Sequence, residues 1–89
     1  MAPDDTRIAT GIRTLLAERA PDASICPSEI ARDLWPDPAW RNAMPDVRRV
    51  ARQLAAVGVI RITQSDVDLD PDAQPAGPIR LRRGPRWID

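Results

Sequence analysis

The sequence contains no histidine, lysine, phenylalanine or tyrosine, and it has a single cysteine and four scattered glycines. Without histidine, one chain cannot assemble the Ser-His-Asp or Cys-His catalytic arrangements, and most zinc sites are excluded as well. One cysteine cannot form an internal disulfide. Isolated glycines do not form the glycine-rich loop that holds phosphate groups. We therefore expect a protein that is not an enzyme, with no catalytic residue, no metal site and no cofactor.

Long hydrophobic runs and an excess of charge of one sign are also missing. No apolar segment approaches the roughly 18 residues of a membrane helix, and the N-terminus lacks the basic start and apolar core of a secretory signal. The 13 basic and 13 acidic residues cancel, so the net charge creates no general attraction to nucleic acid or to an anionic membrane. We expect a cytoplasmic protein that does not associate with membranes.

The charges that are present are segregated along the chain. Residues 41–64 carry five arginines and one acid, whereas residues 65–79 carry four aspartates and no base. Every basic residue is arginine, which together with the many alanines indicates a general compositional bias. The choice of arginine over lysine at any single position is therefore no evidence for a function, whereas the clustering of charge is.

Two helices are predicted in the first half of the chain. The first extends from about Asp5 to Arg19 and ends before Pro21, because large apolar residues recur there at helical spacing. These residues are Ile8, Ile12, Leu15 and Leu16. The second extends from Pro27 to about Trp35, with Cys26 as N-cap and Glu29 at the third position of a capping box.

The third predicted helix, Met44 to Gly58, is the segment around which the chain is organised. Pro45 suits the first helical position, and Gly58 suits a left-handed C-cap. One side of this helix is apolar and comprises Val47, Val50, Ala51, Leu54 and Val57. Arg48, Arg49, Arg52 and Gln53 fall on the other side. Before it, Pro38 to Ala43 is predicted to form a separate helical turn that is capped by Asp37 and anchored by Trp40.

Two strands follow, at Val59 to Thr63 and at Ile79 to Arg82. Alternation turns their isoleucine and leucine side chains inwards and Arg61, Arg80 and Arg82 outwards. The acidic, proline-containing link over about residues 65–77 is long for a tight turn, so it is predicted to be a mobile wing loop. Ile25 is predicted to add a third short strand.

These elements predict one winged-helix domain over residues 1–89, mainly α with a small β component. It consists of a three-helix bundle and an antiparallel β-hairpin wing. A flexible lead is expected over about residues 1–4 and a tail over about residues 84–89. Trp87, in that tail, either folds back onto the core or is exposed.

Three stretches carry a resemblance to a known family. They are ICPSEIARDL at 25–34, WRNAMPDVRRVARQLAAVGVIRITQ at 40–64 and GPIRLR at 77–82. Together they resemble the small bacterial domain-of-unknown-function family 3253. The resemblance implies a winged-helix fold and supplies no reaction, ligand or catalytic residue. Family members often carry a basic glycine or lysine turn after Thr-Gln, whereas residues 65–72 of this chain hold four aspartates.

Clustered arginine suggests a nucleic-acid surface. Arg48 and Arg52 lie four residues apart on one helix and repel each other. Arg61 and an arginine on the neighbouring strand repel each other as well. A bound phosphate group would relieve both repulsions. We expect the third helix to enter the major groove of duplex DNA and the hairpin arginines to contact phosphate. The candidate contacts are Arg41, Arg48, Arg49, Arg52, Gln53, Arg61, Arg80 and Arg82.

Other interpretations stay open. The arginines could instead pair with the surplus acids of the first helices and the wing, and the domain could be a protein-interaction or accessory module. A homodimer is a further alternative. Asp66, Asp68 and Asp70 begin like a calcium-binding loop, but the required glycine and glutamate are replaced by Pro71 and Gly77, so a solvated loop is expected. Cys26 is interpreted as a small buried residue, and the three tryptophans as core or rim anchors.

Overall fold

A computed structural model describes residues 3–73 and 75–88, except for the side chain of Pro3. The elements in chain order are α1 Pro3–Ala17, β1 Ser24–Ile25, α2 Pro27–Leu34, α3 Trp40–Ala56, β2 Ile60–Gln64, β3 Val67–Asp68 and β4 Arg80–Arg83. The strands form one antiparallel sheet in the order β1-β4-β2-β3. Three helices and this sheet make a winged-helix fold, as predicted, and Ile25 does supply the predicted extra strand.

The core lies between the three helices and one face of the sheet. It is built almost entirely from aliphatic side chains, because the sequence has no phenylalanine or tyrosine to fill it. The largest fully buried apolar residues are Ile8, Ile12, Leu16, Ile25, Ile30, Ile60, Leu81, Val47 and Val50. The predicted apolar faces are thus largely confirmed. Val57 is an exception, since it follows the last residue of α3 and is 57% exposed.

The third helix begins earlier than predicted. Residues 40–43 do not form a separate turn but the start of α3, and Pro45 lies inside the helix. A proline there removes one backbone hydrogen bond and costs about 3 kcal/mol in a helix interior. The missing bond would join Pro45 to Arg41, and the residues that precede each of these, Met44 and Trp40, both pack against the core. We attribute the continuity of the helix to this packing, which outweighs the local preference of Pro45 for a first position.

The two ends of α3 differ in how they compare with the prediction. At the start, the N-cap is Ala39 without a side-chain bond, so the predicted cap by Asp37 is wrong. At the end, Gly58 adopts a positive φ of 83° as predicted. The Gly58 N–H bonds to the Ala55 carbonyl and the Val59 N–H to the Leu54 carbonyl, each at 3.0 Å. These two bonds form a Schellman motif, which turns the chain directly into β2.

The acidic segment after β2 is not one long loop. Ser65 and Asp66 have φ values of 51° and 64° and form a two-residue hairpin turn, since positive φ at both positions suits the twist of paired strands. The chain then returns as β3 along β2, with Thr63 opposite Asp68. The described residues 69–73 and 75–79 then lead back to β4, and position 74 of the predicted wing loop lies outside the described residues. Gln64 holds its last part, because its side-chain amide donates to the carbonyls of Ala76 at 2.8 Å and Pro78 at 3.2 Å.

An ion pair joins α1 to α3. Helix α1 begins at Pro3 instead of Asp5, which places Asp5 in the first turn, where it is 6% exposed. Its two carboxylate oxygens accept hydrogen bonds from Arg49 at 2.8 and 2.6 Å. These hydrogen bonds and the adjacent charge lower the pKa of Asp5, although its desolvation opposes the shift. The contact spans 44 residues of sequence and fixes two of the three helices relative to each other.

The tail is tied to the corner between α3 and β2. The Gly84 N–H donates to the Val59 carbonyl and the Arg86 N–H to the Gly58 carbonyl, both at 2.9 Å. A Cβ atom on Gly84 would collide with the Gly58 carbonyl oxygen and lie 2.8 Å from that of Ile60. Trp87 packs against the core, so the folded-back alternative is confirmed. The predicted lead and tail also include residues 1, 2 and 89, which lie outside the described residues.

Within the described residues, no helix combines the length and the apolar character that crossing a membrane requires.

Replacing Asp5 with asparagine should lower the melting temperature at pH 7, because Arg49 then loses the carboxylate that it contacts most closely. The fold lowers the pKa of Asp5 below its ordinary value of 3.8. The ion pair therefore stabilises the protein above pH 3.8, and this stabilisation is lost as the pH falls through the lowered pKa. Thermal melts should show a gap between wild type and Asp5→Asn that narrows below that pH.

The matched control for this measurement is Asp4→Asn. Asp4 lies 3.6 Å from Arg7, and both side chains are at least half exposed, so their interaction contributes little. Equal melting temperatures of the two variants at pH 7 would contradict the structural role of Asp5.

Replacing Gly84 with alanine should destabilise the protein by about 1–3 kcal/mol, the usual cost of forcing an extra carbon into a packed site. Urea unfolding measures this loss. The control is Gly11→Ala on α1, where the nearest atom to a new Cβ is the Ile30 methyl at 3.4 Å and helix propensity favours alanine by about 1 kcal/mol. If Gly84→Ala were as stable as the wild type, the prediction would be wrong, and the backbone at this corner would be able to shift to make room for the Cβ atom.

Candidate nucleic-acid interface

Arg48 and Arg52 form the part of the predicted surface that remains available to a partner. Both are half-buried, and neither makes an ion pair or side-chain hydrogen bond with another described residue. They lie along a narrow groove between α3 and the segment that returns to β4. The other residues lining this groove are Ile62, Leu69, Asp70, Ala73, Pro75 and Ile79. The groove thus presents two guanidinium groups one helical turn apart.

Gln53 is exposed on α3, and its amide has no hydrogen-bond partner among the described residues. Asn42 is also exposed, and its side-chain amide likewise has no hydrogen-bond partner among the described residues. The two residues are eleven apart, which is close to three full turns, so they lie on the same side of α3. Sequence reasoning missed Asn42 because it placed the start of this helix at Met44.

Arg49 is engaged by carboxylates of the fold. Besides its two bonds to Asp5, it donates to Asp46 at 3.3 Å. The hydrogen bonds to Asp5 and then to Asp46 raise its pKa further above its ordinary value, so the charge is permanent and already compensated. Contact with a nucleic acid would have to replace the carboxylate of Asp5, which is nearly buried.

The outer face of the sheet carries two arginines in direct opposition. Arg61 on β2 is paired in register with Arg82 on β4, so the repulsion expected from the sequence is present. Each arginine has its own aspartate from the neighbouring hairpin, since Arg61 contacts Asp68 and Arg82 contacts Asp66, both at 3.1 Å. The acids of the wing therefore relieve this repulsion within the chain, as in the alternative interpretation of the sequence.

These two arginines also make neutral hydrogen bonds. Arg61 donates to the Arg83 carbonyl at 3.1 Å. Arg82 donates to the Thr63 hydroxyl at 3.3 Å and to the Asp22 carbonyl at 2.9 Å. Thr63 is only 2% exposed, which indicates that the network covers this part of the sheet.

The remaining two predicted contacts are also engaged. Arg80 donates to the Ser24 hydroxyl at 2.9 Å and to the Ser24 carbonyl at 3.0 Å, which joins β4 to β1. Arg41 donates to Asp37 at 3.1 Å, and its guanidinium carbon lies 4.6 Å from the centre of the Trp40 ring. Both side chains are exposed. A further ligand would either displace these contacts or bind next to them.

Sequence reasoning did not single out Arg83. It lies on the inward face of β4 beside Leu81 and donates to the carbonyls of Leu16 at 3.0 Å and Arg19 at 3.1 Å, at the end of α1. Its guanidinium carbon also lies 5.0 Å from the Trp87 ring. The alternation of side chains along a strand would have identified Arg83, because residues two apart point to the same face of the sheet and residue 81 faces the core.

The other chemical candidates from the sequence have structural partners. The Glu29 carboxylate accepts the Cys26 backbone N–H at 2.8 Å, as the predicted cap requires. Desolvation opposes ionisation of Glu29, but this bond and Arg19 outweigh it, so the pKa is lowered. The half-buried Cys26 sulfur accepts a hydrogen bond from the Ser28 hydroxyl at 3.1 Å. In the described part of the chain, no group of three or more Cys, Asp or Glu residues is placed to hold a metal ion.

Comparison with known proteins agrees with the resemblance seen in the sequence. No curated protein matches the chain. A family model described as a protein of unknown function, DUF3253, matches residues 5–84, a range that includes most of α1 and every later helix and strand. The chain therefore belongs to the DUF3253 family.

Proposed function

We propose that the protein binds nucleic acid, with duplex DNA as the ligand, through the exposed side of α3. The observation that carries this proposal is the contrast among the arginines. Arg48 and Arg52 are close together and have no carboxylate partner among the described residues, whereas Arg49, Arg61 and Arg82 are paired inside the chain. Two neighbouring cations without an ion pair to a described residue are stabilised by a ligand that carries phosphate groups.

The proposed contact follows from the shape of α3. The helix has 17 residues and is therefore about 25 Å long, enough to lie in a major groove. Arginine can bond to guanine or to backbone phosphate, and the amides of Asn42 and Gln53 are of the type that pairs with adenine. We assign Arg48 and Arg52 to phosphate or guanine and the two amides to base edges.

The wing has a smaller part in this proposal than the sequence suggests. A phosphate that contacts Arg61 or Arg82 must compete with Asp68 or Asp66 for the same guanidinium group. Each such exchange replaces one anion with another, so its net contribution to affinity is small. Most of the binding free energy must then come from α3.

A second candidate is a protein-interaction module. It is favoured by the same internal pairing, which leaves few cations for DNA, and by the exposed Asp70 and Asp72, which contact no cation among the described residues. A basic partner protein would suit these acids. The two functions differ in their requirement for Arg48 and Arg52, which only the first one needs.

Replacing Arg48 and Arg52 together with alanine should weaken DNA binding without unfolding the protein. Fluorescence anisotropy of a labelled random duplex, titrated at about 50 and about 200 mM salt, measures the effect. Two phosphate contacts predict that this change in salt reduces the affinity of the wild type by about tenfold. The double variant should lose this salt-dependent component. Arg49 is left intact, because its removal would also leave Asp5 unpaired.

The matched control is the double variant Arg13→Ala, Arg86→Ala. It removes the same charge from exposed arginines on α1 and in the tail that have no ion pair within the described chain. Equal affinities of the two double variants would show that α3 is not the contact surface. Absence of binding by the wild type at low salt would remove the DNA proposal and favour the protein-interaction module.

Replacing Asp66 and Asp68 together with asparagine should strengthen DNA binding, because Arg61 and Arg82 then lose their internal carboxylates and can contact phosphate. The same anisotropy titration should show a steeper salt dependence. The variant Glu18→Gln, Asp33→Asn is the control, since it changes the net charge equally at exposed acids without an ion pair among the described residues. If both variants gain affinity equally, general electrostatics and not the release of the two arginines is the cause.

A further inference from the structure

A cleft of about 380 Å³ lies where α2 meets α3. It is lined by Arg32, Trp35, Pro36, Asp37, Trp40 and Arg41. The combination of two indoles and two guanidinium groups distinguishes it from the groove beside Arg48 and Arg52. Only Arg41 of these six residues was among the predicted nucleic-acid contacts.

The two guanidinium groups are ordered by one tryptophan ring. Their central carbons lie 4.3 Å (Arg32) and 4.6 Å (Arg41) from the centre of the Trp40 ring, within the range of cation–π attraction. The indole N–H of Trp40 donates to Asp37 at 3.0 Å, and Arg41 donates to the same carboxylate oxygen at 3.1 Å. The ring and the two arginines thus form one connected unit, and both arginine side chains lie against a fixed surface.

The charges of this unit do not cancel. Asp37 compensates Arg41, whereas the side chain of Arg32 makes no ion pair or hydrogen bond with any described residue. One positive charge is therefore left over in the cleft. An arginine that is already stacked on a ring loses less side-chain freedom when it binds an anion, and its planar group suits the two oxygens of a phosphate.

We propose that this cleft binds one backbone phosphate of the DNA duplex, with Arg32 as the main donor and Arg41 beside it. The proposal rests on the proposed function of α3 and adds a second contact to it. Asp37 restricts the site to a singly charged phosphodiester, since it would repel a second negative charge. Stacking of a base is less suited to the cleft, because guanidinium groups already contact the Trp40 ring.

The position of the cleft supports a duplex over a small free anion. Arg41, Arg48 and Arg52 follow one stripe of α3, at successive spacings of seven and four residues. The first interval corresponds to about 10 Å along the helix axis and the second to about 6 Å. One polyanion can therefore contact the cleft and the groove at the same time, which a single small anion cannot do.

Replacing Arg32 with alanine tests the cleft. In the anisotropy titration, the logarithmic dependence of affinity on salt should become less steep by about 0.9, the value for one phosphate contact. Arg13→Ala is the control, because it removes one exposed arginine charge from α1 and should leave the slope unchanged. An unchanged slope in Arg32→Ala overturns the proposal.

Proton–nitrogen NMR spectra distinguish the cleft from α3. On addition of the duplex to the wild type, the indole N–H signal of Trp40 reports on the cleft and the side-chain amide signal of Gln53 reports on α3. We expect both to shift, and in Arg32→Ala we expect only the Gln53 signal to shift. The unaffected signals of the core show that this variant is folded.

The outcomes separate the two proposals. A shift of Gln53 without a shift of Trp40 in the wild type overturns the cleft and leaves the function of α3 intact. A shift of Trp40 without a shift of Gln53, together with undiminished binding by the Arg48, Arg52 double variant, supports the cleft and overturns the proposed role of α3. If neither signal shifts at low salt, both proposals are overturned.

Discussion

The contact between Asp5 and Arg49 determines what α3 can present to a partner. It crosses from the first turn of α1 to the middle of α3 and places a nearly buried carboxylate against a two-pronged guanidinium group. Such a pair is costly to break because the remaining charge would be left poorly solvated. Arg49 lies on the same side of α3 as Asn42 and Gln53, but its guanidinium group is bound to α1. The side chains of Asn42, Gln53, Arg48 and Arg52 have no such partner among the described residues.

The same principle of local compensation applies to the sheet. A net charge of zero could arise from distant opposite charges, but here the acids of the β2–β3 hairpin contact the opposed arginines directly. The hairpin is short and turns at Ser65 and Asp66, which places its aspartates over the outer face of β2 and β4. The aspartates of the wing thus neutralise the arginines of the adjacent strands.

The sequence was most informative where structure depends on neighbours in the chain. Aliphatic spacing located the helices, and the positive φ of Gly58 was foreseen because only glycine adopts it without strain. The errors arose where distant contacts decide. Pro45 argued for a helix start, but packing of Trp40 and Met44 extends the helix through it. The turn at residues 65–66 lacks the usual Asn-Gly or Asp-Gly pair, so β3 was not recognised. The partner of Arg49 is 44 residues away, and no local pattern identifies it.

The hydrogen-bond geometry of the arginines separates those that stabilise the fold from those that a ligand can contact. The compositional bias towards arginine made its choice uninformative in the sequence, yet several internal roles use the branched guanidinium group to reach two or more acceptors at once. Arg49, Arg80, Arg82 and Arg83 all do so. A lysine ammonium group lacks the planar fork that makes such bridging rigid. Arginines that join elements through hydrogen bonds are thereby committed to the fold. The side chains of Arg32, Arg48 and Arg52 donate no hydrogen bond to a described residue, so a phosphate ligand can still neutralise their charge.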